Sequence, residues 1–100
     1  MNMQQMMAQA QKMQRELKKA QAELAAKEFK ISKGGAVTVV VLGSKEIKSV
    51  DIDADAFEPD GKEMIEEMIV LAINEAFEKI DAESEAINER ITGQRGGFGF

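Results

Sequence analysis

From Met3, apolar side chains recur at Met3, Met6, Ala10, Met13, Leu17, Ala20 and Leu24, in alternating steps of three and four. That spacing keeps a narrow stripe on one side of a helix, a three-heptad a/d seam. No Gly, Pro or β-branched residue interrupts residues 1–26, and the side chains there favour helix, so the pattern predicts a helical arm about 36 Å long. With Ala at two of seven seam positions, the stripe suits packing on another helix better than lying over a broad core.

After Lys27 the period drops to two. Phe29 and Ile31 alternate with Glu28, Lys30 and Ser32, and Gly34-Gly35 supplies a hairpin turn. Ala36 to Leu42 is apolar on both faces, broken only by Thr38, which predicts a central strand covered on both sides. Gly43-Ser44-Lys45-Glu46 is a turn, and a third strand follows from Ile47 to Asp53 with Val50 and Ile52 facing one way. These segments form a three-stranded antiparallel meander over 27–54.

A second helix is expected over 60–92, opened by a capping box in which Asp60 and Glu63 each accept from the other's amide. Met64, Ile65, Met68, Ile69, Leu71, Ala72, Ile73, Ala76, Phe77 and Ile80 give it a wide apolar face, which narrows to Ile80, Ile87 and Ile91. Gly93 stops it, and 93–100 reads as a flexible Gly/Phe-rich tail. The order is α-β-β-β-α, an α+β domain over 1–92. One helix covers one face of a meander, so the remaining strand face and the helical seams predict a homodimer.

Composition narrows the function. The chain has neither Cys nor His, which removes thiolate sites, imidazole ligands and the commonest general base, so an enzyme is not expected. Nor is a metal, cofactor or small-molecule substrate. The longest apolar run is far too short to span a bilayer and no signal-peptide core is present, which predicts a cytoplasmic protein without membrane contact. Asp51, Asp53 and Asp55 mimic the start of a calcium loop, but Ala56 and Lys62 stand where Gly and Glu are required. Charge is divided unevenly: residues 1–33 carry +4 and residues 34–100 carry −9, for a total of −5. A basic arm on an acidic remainder points to a polyanion partner or to attraction between opposite ends.

Four segments stand out in order along the chain: Gln9-Ala10-Gln11-Lys12-Met13-Gln14 in the arm, Gly34-Gly35 before a Val-rich strand, Glu46 to Asp53, and Met68 to Ala76. Together they resemble the YbaB/EbfC family of bacterial nucleoid-associated proteins. The resemblance implies a tweezer-like homodimer with helical arms that binds DNA with low sequence selectivity. The candidate DNA-binding residues are Lys12, Arg15, Lys18 and Lys19, at heptad positions c, f, b and c, opposite the seam of Met6, Met13, Leu17 and Leu24. A charged outer helix face is ordinarily just solvated, and Glu23 lies four residues from both Lys19 and Lys27, where it can offset them. Only one Arg lies on the arm, so phosphate contact to double-stranded DNA is expected rather than a base code. The alternative is a non-enzymatic interaction module whose Met-rich seams take a partner's helix.

Overall fold

The computed structural model describes residues 2–93. In chain order the elements are α1 (Met3–Ala26), β1 (Glu28–Lys33), β2 (Val37–Leu42), β3 (Ile47–Ile52), two short 3-10 turns (Ala54–Ala56 and Pro59–Gly61) and α2 (Lys62–Thr92). The sheet is an antiparallel meander in the order β1-β2-β3, so the α-β-β-β-α layout matches expectation. Apart from Gly93, the segment expected as a tail lies outside the described residues.

Each turn has a local cause. Between β1 and β2, Gly34 and Gly35 take φ of 59° and 67°, a left-handed path that glycine adopts without strain, and the Lys33 carbonyl accepts from the Ala36 amide at 3.1 Å. The β2–β3 turn does more than reverse the chain. Its Gly43 and Ser44 amides donate to the carbonyls of Lys27 and Ala25 at 2.9 and 3.2 Å, satisfying groups left over where α1 ends. A Cβ on Gly43 would stand 1.8 Å from the Leu24 carbonyl oxygen, so the approach requires glycine.

The core lies between the sheet and α2. Val37, Val39 and Val41 are almost completely buried on the inner face, beside Phe29 and Ile31 on β1 and against Ile65, Ala72, Ala76 and Ile80 on α2. Ala72 and Ala76 are fully buried, and their small side chains let the helix backbone lie close to the strands. Burying each valine contributes about 1.5–3 kcal/mol.

Within one chain α2 covers only the inner face of the sheet, as expected. On the outer face Val40 is paired with Lys30 and Ser49, an ion pair joins Lys48 to Glu28, and the Ser32 and Thr38 hydroxyls hydrogen-bond at 2.9 Å, leaving Val40 and Leu42 half-buried. Two expectations are corrected. First, the α2 face is narrower than its sequence pattern: Met64 and Leu71 are exposed, because α2 lies over β1 and β2 and the buried stripe follows Ile65, Ala72, Ala76 and Ile80. Second, Asp60 does not cap α2. It sits within the Pro59–Gly61 turn, and the N-cap is Gly61 with no side-chain hydrogen bond. A capping box does occur, but on α1: Asn2 Oδ1 accepts from the Gln5 amide at 2.8 Å and Gln5 Oε1 from the Asn2 amide at 3.4 Å.

Beyond the sheet, the two helices run antiparallel. Ala20 and Leu24 are buried and Leu17 is half-buried, with Glu83, Ile87 and Ile91 alongside, and Gln21 reaches Ser84 at 3.5 Å. Glu16 sits level with Ile91, so the first thirteen residues of α1 extend about 20 Å past the last described turn of α2. The resulting molecule is elongated, 69 × 25 × 14 Å.

Candidate nucleic-acid interface

Lys12, Arg15, Lys18 and Lys19 are all exposed on α1. At 100° per residue, Lys12, Arg15 and Lys19 share an arc of about 60° opposite the seam, with Lys18 on its flank. The stripe begins on the overhanging part of α1 and ends where the helix meets α2.

Ion pairing separates these four residues from most of the body's lysines. Lys27 pairs with Glu83 at 2.6 Å, Lys45 with Asp81 at 2.8 Å, Lys33 with Glu75, and Lys48 with Glu28. Among the described residues, Lys12, Arg15, Lys18 and Lys19 have no ion-pair partner within 4.0 Å. Glu23, which stood in the right place to offset Lys19 and Lys27, engages neither, and Lys27 turns instead to α2. Four cations on an exposed helix face thus keep their charge available to an external anion.

Several of the body's lysines join one element to another. Lys45 pairs with Asp81 and lies 5.5 Å from the Phe77 ring centre, tying the β2–β3 turn to α2. Lys33 hydrogen-bonds Glu75, with Lys79 nearby, and holds that carboxyl below the usual glutamate range. Of the three aspartates that mimic a calcium loop, Asp53 is used locally: its side chain accepts from the Asp55 amide at 3.0 Å and caps the 3-10 turn.

The seam residues divide into two groups. Leu17 and Leu24 face α2, whereas Met6 and Met13 lie on the overhang, 57% and 39% exposed, together with Met3 at 76%. A second uncovered apolar surface was not expected from the sequence. Ile47 and Val50 on the inner face of β3 are 45% and 43% exposed because α2 does not reach the third strand. Gly43, read from sequence only as part of a turn, sets how closely that turn meets the base of the arm.

Residues 1–95 match the model of the YbaB/EbfC DNA-binding family. A nucleoid-associated protein of Ruminiclostridium cellulolyticum is 42% identical over 97% of this chain and 85% of its own length. Proteins of the same description from Clostridium novyi and Mycoplasmopsis pulmonis are 45% and 41% identical, over 93% and 91% of this chain and 82% and 90% of their own lengths. Among solved structures, an uncharacterized protein of Helicobacter pylori superposes with a TM-score of 0.76 at 20% identity, covering 93% of this chain and 99% of the other, and so shares the fold. With the family model spanning nearly the whole sequence and relatives above 40% identity along it, this chain belongs to the YbaB/EbfC DNA-binding family.

Proposed function

We propose that the protein clamps double-stranded DNA at the nucleoid, in the cytoplasm, as a homodimer whose two arms lay Lys12, Arg15, Lys18 and Lys19 on phosphates. The observation that carries this reading is the contrast in pairing: these four cations project on an exposed arm without an acidic partner among the described residues, while most lysines of the sheet and α2 are paired. Phosphate contact carries no base information, so selectivity is low, and the effect on the cell is through nucleoid organisation and gene expression. The uncovered inner face of β3, with Ile47 and Val50, is the surface that a second copy covers. The acidic remainder repels DNA and confines contact to the arms.

Equilibrium binding to unrelated duplexes across a salt series tests this. Six to eight phosphate contacts per dimer give a slope of log K against log salt of about −5 to −7, from about −0.9 per phosphate. Affinities should be similar across fragments, and reversing all four residues to Glu should abolish binding. A slope near zero would remove the phosphate mechanism.

A second reading rests on the exposed Met3, Met6, Met7 and Met13, an adaptable apolar face that suits a protein-interaction module. Under that reading the same charge reversal leaves partner capture intact.

A further inference from the structure

We propose that the arm tip, residues 3–13, pairs antiparallel with the same segment of a second copy, making a helix–helix contact separate from both the phosphate stripe and the β3 surface. The seam that buries Leu17, Ala20 and Leu24 against α2 does not stop where α2 ends; it continues through Met13, Ala10, Met6 and Met3 with nothing described over it. Met3, Met6 and Met7 are each more than half exposed, on a helix that a capping box keeps folded to its first turn. The tip is thus a preformed half of a two-helix interface, continuous with one already made.

Three features of the tip select an identical copy as occupant. Its spacing is self-complementary: centred on residue 8, an antiparallel pair makes a-to-d matches, setting Met3 against the other chain's Met13, two flexible side chains, and Met6 against the other chain's Ala10, a long side chain over a small one. A two-fold contact of this kind is isologous and closes on itself. Second, residues 2–11 carry no charged side chain in a protein that is 31% charged, so identical tips meet without like-charge repulsion. Third, Met7 and Gln9 occupy the e and g positions, where charges would otherwise favour a different partner. Lys12 lies at position c, on the outer face, and remains available to phosphate.

Three turns of helix from each copy bury less than the roughly 1,200 Å² of a stable complex, so the contact is weak between free molecules. It forms when copies are held close, as along one DNA molecule, where effective concentration is high. Tip pairing then links neighbouring arms into a connected array.

The chain has no cysteine, so single thiols report the register directly. Met6→Cys and Ala10→Cys proteins would be mixed in equal amounts, at high concentration alone and on long duplex DNA, and oxidised. Antiparallel pairing predicts that the mixed Met6→Cys/Ala10→Cys disulfide exceeds the half expected from random pairing and survives high salt when protein alone is tested. Random pairing, predominance of Met6→Cys self-linkage, or no cross-link in either condition would overturn the proposal. A companion variant, Met3→Gln with Met6→Gln, is expected to lose cooperativity on long DNA while binding a one-clamp duplex with unchanged affinity. Retained cooperativity would count against tip pairing, whereas failure of the unsubstituted protein to bind the short duplex would count against the phosphate reading.

Discussion

Gly43 shows how much one missing side chain can decide. Its amide and that of Ser44 satisfy carbonyls at the end of α1, and the turn comes so close that an added methyl would overlap the Leu24 carbonyl. Gly43→Ala must push the turn off the helix, and urea unfolding should show a loss of about 1–3 kcal/mol, the usual cost of forcing an atom into filled space. Gly35→Ala tests a different cause, since nothing lies within 4 Å of its Cβ position and only the left-handed backbone opposes it. Glu75 supplies a pH signature. Lys33 lowers its folded-state pKa below the unfolded value, so its contribution is present above the unfolded pKa and is lost as pH falls through the folded one. In an NMR titration, Lys33→Ala should move the Glu75 midpoint upward.

At the level of elements, α1 is one continuous helix with two different environments. Leu24→Ala removes a buried side chain at the base and should cost about 2–5 kcal/mol, whereas Met6→Ala on the overhang should leave the chemical-denaturation midpoint of the isolated protein nearly unchanged. The seam itself was legible in the sequence, as a three-four repeat without breaks. Its division was not, because where α2 ends relative to α1 depends on how the helices are offset across the sheet. Local patterns predicted the strands and the Gly34-Gly35 turn well, since alternation and left-handed glycine are short-range signals. Asp60 misled: an acidic box at the right spacing competes with Pro59, which fits the short 3-10 turn that absorbs Asp60. The Asn2–Gln5 box uses the same chemistry with neutral amides in place of carboxylates, a weaker signal in a Gln-rich segment. The cationic stripe could be read from heptad positions, but freedom from ion pairing is a tertiary property. Only the fold shows Lys27 turning to Glu83 and Glu23 pairing with neither Lys19 nor Lys27 among the described residues.

For the whole molecule, the sheet is wider than the helix that covers it. Within one chain the outer face of β2 stays open, as the sequence pattern implies, and the fold adds an apolar surface at Ile47 and Val50 on the inner face of β3. Val50→Glu would place a charge on that surface without entering the buried core of β2. Sedimentation should then show a shift toward monomer with helix content preserved, while a dimer that persists would move the interface elsewhere. The attachment of α1 has a mechanical consequence. Because the helix is gripped only over its last turns and is about 36 Å long, it acts as a lever: a tilt of about 5° at the Gly43 junction carries Met3 through roughly 3 Å. Under the proposed two-armed clamp, the span between the levers is therefore gauged by packing at their bases, and a change at the fulcrum retunes that span without altering any residue of the exposed cationic face.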